Sequence, residues 1–246
     1  KKDYSAAVAG ADLIKDTNAN RLLEELYKIL KCGASAGSIV KLHRFGVLKY
    51  WLPELEENGV SLNLRERLGL IDRRRIAGED IPVGVLITAL FYDLISSLTD
   101  SSVINSGSHD VFMKARDIFS PVAARLHLPR KESDRVCNII SRISYFFDSS
   151  DRKRNSSFEQ RFIRNEHFSD TLYFYSLLSG VKEGFSGKVN YWGKVADELK
   201  ENGNRKNQPR DEKHRLSGRT DKTGKKIESD IKNTEKGEVS RESAPK

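Results

Sequence analysis

The sequence predicts an all-α fold that ends in a disordered, basic C-terminal tail. Before residue 200, apolar residues recur every three or four positions in several stretches, which is the period of a helix with one buried face. No stretch of four to eight residues alternates between β-branched and polar side chains, so we expect no sheet. With 37% hydrophobic and 32% charged residues, the chain is too polar for all of its 246 residues to fold around a core.

Two helices are predicted within residues 1–60, which we assign to a first domain. One helix ends at Gly33, a residue suited to the left-handed position after a helix, and its apolar positions are Leu22, Leu23, Leu26, Tyr27, Ile29 and Leu30. A shorter helix follows over Ile39, Leu42 and Phe45 and ends near Gly46.

Four further helices are predicted within residues 61–200, a helical body. Pro82 suits the first turn of a helix over Val83–Leu98, and Pro129 suits the start of another. Pro121 is expected to kink the helix that precedes Pro129. The apolar positions of the last three helices are, in order, Val111, Ala115, Ile118, Val122 and Leu126; Val136, Ile139, Ile140, Ile143, Phe146 and Phe147; and Phe168, Leu172, Phe174, Tyr175 and Leu178, ending near Gly180.

Residues 201–246 have the composition of a disordered tail. They contain no Phe, Tyr or Trp, and they hold 13 Lys+Arg against 9 Asp+Glu. Such a segment cannot bury enough apolar surface to offset the entropy lost on ordering. The whole chain has a net charge of +8, which favours polyanionic partners, nucleic acid before a membrane surface.

The body carries three clusters of basic residues that could contact phosphates, because the planar arginine fork donates two hydrogen bonds at once. The clusters are Arg65, Arg67, Arg73, Arg74 and Arg75; Arg125, Arg130, Lys131 and Arg135; and Arg152, Lys153, Arg154, Arg161 and Arg164. Aromatic rings follow the third cluster at Phe168, Tyr173 and Tyr175, and such rings can stack unpaired bases. The alternative is a set of solvated helix faces with the aromatic rings in the core. Our candidate nucleic-acid contacts are Arg73, Arg74, Arg75, Arg130, Lys131, Arg152, Lys153, Arg154, Arg161 and Arg164.

A metal site is the second possibility that the sequence raises. His109-Asp110 resembles the His-Asp pair of metal-dependent phosphohydrolases, with His43 as a first ligand and Asp134 or Asp148 as a last one. In the other interpretation, Ser108 caps a helix and Asp110 lies in its first turn, where the helix dipole favours a carboxylate. We favour that second interpretation and predict no metal ligand.

The order of the helices resembles the neck and body of bacterial poly(A) polymerases and CCA-adding tRNA nucleotidyltransferases. The resemblance rests on the run from Asn20 to Leu30, on Trp51-Leu52-Pro53-Glu54-Leu55, and on Ala124-Arg125-Leu126-His127-Leu128-Pro129-Arg130-Lys131. His167-Phe168 with Tyr173 resembles a later body helix, so the likeness runs over roughly residues 10–180. Arg21, Glu24 and Glu25 match the neck motif of that family, and Glu24 is spaced to pair with Lys28.

The resemblance implies a chain without catalytic residues. The catalytic head of that family holds two metal ions on an Asp-x-Asp pair that follows a Gly-Gly, and this sequence contains no such arrangement. The neck-like helices begin almost at residue 1, where a head would have to precede them. We therefore expect no nucleotide addition by this chain alone and no cofactor in it; the parent enzyme would need Mg²⁺ and ATP in the missing head.

Two functions remain open at the level of sequence. The first is an RNA-binding portion of a poly(A) polymerase-type nucleotidyltransferase, which holds single-stranded 3′ ends or tRNA for the head. The alternative is a helical module that docks an RNA helicase or another protein of RNA decay. Cys32 and Cys137 cannot form a disulfide framework, and no apolar run is long enough to cross a membrane, so we expect a cytoplasmic protein.

Overall fold

The computed structural model describes Ser5 and residues 8–57, 59–96, 108–147, 156–181 and 189–197. Within these ranges the chain is helical and contains no strand, which confirms the all-α prediction. The described helices belong to one compact unit, Lys1–Leu199. The predicted tail, 201–246, lies outside the described residues.

The N-terminal part consists of short helices joined by tight turns. In chain order they are a 3-10 helix (Ala11–Asp16), α1 (Ala19–Lys31), α2 (Ser35–Arg44), α3 (Leu48–Trp51) and α4 (Pro53–Glu57). Asn18 caps α1 by accepting a hydrogen bond from the backbone N–H of Asn20 at 2.9 Å. Gly33 and Gly46 follow α1 and α2 with φ of 76° and 70°, so both helices end where the glycines predict.

Longer helices follow. They are α5 (Leu62–Ile76), α6 (Val83–Ile95), α7 (Ser108–Arg125), α8 (Arg130–Phe147), α9 (Ser156–Ile163), α10 (Phe168–Val181) and α11 (189–197). The predicted helices from Val83, before Pro129, after Pro129 and from Phe168 are present as α6, α7, α8 and α10. The chain continues in helix through Pro121 to the end of α7.

Helix α6 forms the centre of the core and packs against α5, α7, α8 and α10. It is buried around its whole circumference from Gly84 to Tyr92. Gly84 allows α8 to lie close, because a Cβ at this position would collide with the side chain of Arg135. A helix without a polar face is expected at such a position.

A second part of the core is aromatic. Phe146 of α8 stacks on Tyr175 of α10 with ring centroids 4.9 Å apart. Phe162, Phe168 and Trp192 pack edge-on to one another at centroid distances of 5.2 to 6.1 Å. These rings join α8, α9, α10 and α11, and tilted pairs of this kind are the favoured geometry.

Helix α5 was not predicted. Its buried positions include Arg67 and Asp72 besides Leu64, Leu68 and Ile71. Two charged residues on the buried face break the apolar period on which a sequence-based assignment depends. Ser61 begins the helix by accepting a hydrogen bond from the backbone N–H of Leu64 at 3.0 Å.

Candidate nucleic-acid interface

An open groove of about 730 Å³ lies between α2, α5 and α10. Helix α2 contributes Ala36, Gly37 and Val40, and the end of α10 contributes Ser179, Gly180 and Val181. Small residues hold the groove open: a Cβ added at Gly37 would meet nothing within 4 Å. A ligand could therefore approach the backbone of α2 closely.

Two arginines of α5 lie along this groove. Arg65 and Arg73 are exposed, and within the described part of the chain neither guanidinium makes an ion pair or a hydrogen bond. They are eight residues apart on one face of the helix, which separates their Cα atoms by about 12 Å. Glu66 is the acidic residue of the lining, and Leu62 adds an apolar side chain that is 66% exposed. The groove thus offers two unpaired guanidinium groups beside small and apolar side chains.

The other arginines of the first cluster have structural contacts. Arg74 donates to Ser176 Oγ at 2.9 Å, and its guanidinium lies 4.7 Å from the centroid of the Tyr173 ring. Arg75 donates to the carbonyl of Lys31 at 3.2 Å and pairs with Asp80 at 3.1 Å. Arg74 therefore joins α5 to α10, and Arg75 supports the end of α1.

Arg67 is part of the core. Its Nε donates to the carbonyl of Ala89 at 3.1 Å, and its Nη2 lies 2.9 Å from Asp93 Oδ1. Burial lowers the pKa of its guanidinium, and the nearby Asp93 carboxylate opposes that shift. Arg67 is 1% exposed and cannot reach a ligand outside the protein.

The second cluster likewise contains both arginines with structural contacts and exposed basic residues. Arg125 donates to the carbonyl of Trp51 at 2.6 Å and to both carboxylate oxygens of Glu54, which fixes α7 to α3 and α4. Arg135 pairs with Asp170 at 2.5 Å between α8 and α10. Arg130 and Lys131 are exposed at the start of α8, where Arg130 lies 3.6 Å from Asp134. Only these two residues of the cluster are placed for an external contact.

In the third cluster, Arg161 and Arg164 are exposed, and Arg161 donates to the Ser157 carbonyl within its own helix at 3.3 Å. Arg152, Lys153 and Arg154 lie outside the described residues.

The aromatic residues after this cluster do not form an exposed stacking platform. Phe168 and Tyr175 are buried, and the hydroxyl of Tyr173 donates to Glu79 at 2.7 Å. Desolvation by burial is the main reason why the pKa of Tyr173 is raised, and burial raises the pKa of Tyr175 to about 12. These rings stabilise the fold, as the alternative interpretation of the sequence stated.

The neck-motif residues Arg21, Glu24 and Glu25 lie on the exposed face of α1. The predicted pairing of Glu24 with Lys28 is wrong: Lys28 Nζ instead lies 2.8 Å from Glu25 Oε1, three residues away. The pair raises the pKa of Lys28. Such an exposed pair contributes little to stability.

The residues considered for a metal site are not brought together. His43 Nδ1 lies 2.8 Å from Glu56 Oε2, whereas His109 and Asp110 are exposed in the first turn of α7. Asp148 lies outside the described residues. Across the ranges that the structure describes, no three His, Cys, Asp or Glu side chains are grouped as metal ligands would be.

One comparison with known proteins bears on this arrangement. Residues 4–58, which include α1 to α4 and one wall of the groove, match the family model described as "Probable RNA and SrmB- binding site of polymerase A". This segment is a poly(A) polymerase-related region. Searches of curated proteins and of solved structures returned no significant match. In the described ranges, no helix has both the length and the apolar character needed to cross a bilayer.

Proposed function

We propose that this chain is an RNA-binding module of a poly(A) polymerase-type nucleotidyltransferase. It would hold a single-stranded 3′ end or a tRNA while a catalytic head domain, supplied with Mg²⁺ and ATP, adds nucleotides. The observation that carries the proposal is the match of residues 4–58 to an RNA-binding site of polymerase A. With two cysteines and no disulfide framework, the chain fits a reducing compartment such as the cytoplasm.

The groove is the surface that best supports RNA binding. Helix α2 of the matched segment forms one wall, and Arg65 and Arg73 of α5 line the other side. Arginines without a partner can each bind a phosphate without first breaking an internal ion pair. The small residues of α2 would let an RNA backbone lie against the helix.

Other basic residues would extend this surface. Arg130, Lys131, Arg161 and Arg164 are exposed and would attract a polyanion. Arg152, Lys153 and Arg154 and the basic segment 201–246 would add attraction that does not depend on RNA sequence. Arg74 and Arg75 would act by holding α5 in place rather than by contacting RNA.

The test is the binding of a short single-stranded RNA across a salt series, with wild type compared with Arg65→Ala/Arg73→Ala. Each phosphate contact with a single strand contributes about 0.7 to the log–log salt slope, so the double variant should flatten the slope by about 1.4. The matched control is Lys114→Ala/Lys194→Ala, which removes two exposed charges outside the groove. Absence of RNA binding by the wild-type chain would contradict the proposed function.

A helicase-docking module is the second candidate function. The observation that favours it is that the matched description also names SrmB, an RNA helicase. Exposed Leu62 beside the groove gives such a partner an apolar contact. If docking is the function, Leu62→Asp should abolish co-sedimentation with purified helicase and leave RNA affinity unchanged, whereas Arg65→Ala/Arg73→Ala should leave the RNA salt slope unchanged.

A further inference from the structure

A second cleft, of about 380 Å³, lies between α7 and α8 beside the short turn that joins them. Helix α7 lines it with Arg116, Ser120, Ala123 and Ala124, the turn with His127 and Leu128, and α8 with Arg130, Ser133 and Asp134. Except for Leu128 and the cations, these side chains are small. The floor therefore leaves room for a compact polar group.

Positive charge exceeds negative charge in this cleft. Arg116 is half-buried, and its guanidinium makes no hydrogen bond or ion pair with any residue that the structure describes. Arg130 has one contact, at 3.6 Å from Asp134, and its side chain is 81% exposed. Asp134 balances one of the two arginines, so the cleft keeps a net positive charge even when His127 is neutral.

His127 has a left-handed backbone conformation, which few residues other than glycine adopt. Its φ is 52°, and it is the single non-glycine residue with positive φ in the described part of the chain. The N–H of Leu128 donates to the carbonyl of Ala123 at 2.8 Å, and the N–H of His127 donates to that of Ala124 at 3.1 Å. This pattern is a Schellman helix end, in which glycine is the favoured residue at the left-handed position.

The choice of histidine is therefore not explained by the backbone. A side chain in the left-handed region costs stability, and such strain is concentrated at functional sites. Here it places an imidazole at the edge of the cleft, with Nδ1 at 3.3 Å from Asn20 Oδ1 in the poly(A) polymerase-related region. That contact orients the ring and links the cleft to the matched segment.

We propose that the α7–α8 cleft is a phosphate-binding site that takes a backbone phosphate of the RNA. Arg116 would supply a planar fork, and Arg130 and the Ser133 hydroxyl would supply further donors. Because Nδ1 of His127 donates to Asn20 Oδ1, Nε2 of His127 adds a donor only when the ring carries both protons. The proposal rests on the proposed RNA-binding function, but the site is separate from the α2–α5–α10 groove and has a ligand chemistry that can be tested without RNA.

The first arm of the test uses inorganic phosphate and the amide NMR spectrum of the full chain. We expect saturable shifts of the Ser120, Ala124 and His127 amides, lost in Arg116→Gln and kept in Lys114→Gln, an exposed position on the same helix. If phosphate moves none of these amides, or if Arg116→Gln responds as the wild type does, the phosphate site is refuted.

The second arm distinguishes RNA from free phosphate. Arg116→Gln should weaken the binding of a short single-stranded RNA at least fivefold, and His127→Gly should weaken it while the Tm stays equal or rises. Unchanged RNA affinity with intact phosphate binding would show that the cleft takes free phosphate and would overturn the RNA assignment. If the wild type bound no RNA, the proposed function would fail, and with it the RNA assignment, while the phosphate titration would still decide the cleft.

Discussion

Asp72 caps the N terminus of α2 through Ser35, although 37 residues separate the two in sequence. Its Oδ1 accepts hydrogen bonds from the backbone N–H and the hydroxyl of Ser35, both at 2.7 Å, and its Oδ2 accepts one from the backbone N–H of Ala36 at 3.0 Å. Arg75 and Arg125 likewise hold the ends of α1 and α3. Residues outside the poly(A) polymerase-related region therefore complete its helix ends.

Replacing Asp72 should destabilise the protein through α2. Asp72→Ala leaves buried N–H groups at a helix start without an acceptor, which should cost about 2 to 3 kcal/mol of unfolding free energy. Asp72→Asn keeps one acceptor oxygen and should cost about half as much. Chemical denaturation measures both values. Because Asn keeps the volume of Asp, equal losses for the two variants would show that the charge of Asp72, and not an acceptor oxygen at the helix start, is what stabilises α2.

The ion pair between buried Arg67 and partly exposed Asp93 leads us to expect a larger loss of stability when Asp93 is replaced. Asp93 also accepts a hydrogen bond from Ser61 Oγ at 2.8 Å, and Ser61 caps α5, so one carboxylate joins the start of α5 to the buried cation. Asp93→Ala leaves the guanidinium of Arg67 buried without its counter-ion and should cost about 3 to 5 kcal/mol. Combining it with Arg67→Met should recover part of the loss. A double variant no more stable than Asp93→Ala would contradict a charge-pairing role.

The two cysteines should differ in reactivity. Cys137 is buried, and burial raises the pKa of its thiol to about 12, so almost none of it is thiolate at neutral pH. Cys32 is exposed. Iodoacetamide should therefore modify one thiol in the native protein and two after denaturation, as mass spectrometry would show. Rapid native labelling of a Cys32→Ser variant would mean that α8 opens far more readily than its packing indicates.

Because the pKa of His167 is lowered in the folded protein, we expect the protein to lose stability in mild acid. Burial lowers its pKa from 6.5; Arg142 and Arg135 also lower it, and Glu166 and Asp170 oppose the shift. The unfolded chain binds the proton at a higher pH than the folded chain does. As the pH falls below about 6.5, protonation of His167 therefore favours the unfolded state, whereas above that pH this loss of stability is absent. Unfolding free energies between pH 7.5 and 5 should fall less in His167→Gln than in the wild type. The control is His109→Gln, which removes an exposed histidine from another helix.

The helices that the sequence predicts correctly share a clear apolar period and a local stop or start signal. Gly33 ends α1, Pro82 precedes α6 and Pro129 precedes α8, and each signal acts through its own backbone. Helix α5 lacks such a pattern because Arg67 and Asp72 are buried only after α2 and α6 supply their partners. That information is tertiary and has no counterpart in the local sequence.

Dependence on tertiary contacts also limits what the sequence says about the site. Three consecutive arginines in a helix point in directions about 100° apart, so they cannot share one surface. Arg73 faces the groove, Arg74 faces Tyr173 and Arg75 faces the end of α1. Spacing could have paired Arg65 with Arg73 on one face once α5 was recognised as a helix. The contacts of Arg74 with Tyr173 and Ser176, and of Arg75 with the carbonyl of Lys31, depend on distant residues and could not have been predicted.

Arg73 and Arg74 offer the sharpest separation of binding from stability. Arg73→Ala should flatten the salt dependence of RNA binding by about 0.7 in log–log slope and change unfolding free energy by less than about 0.5 kcal/mol. Arg74→Ala loses its contacts with Tyr173 and Ser176 and should cost about 1 to 2 kcal/mol of stability with the salt slope unchanged. RNA titration and denaturation on the same preparations measure both properties. If the two variants weaken binding equally and are equally stable, α5 attracts RNA as an undivided positive face, and the groove has no special part in recognition.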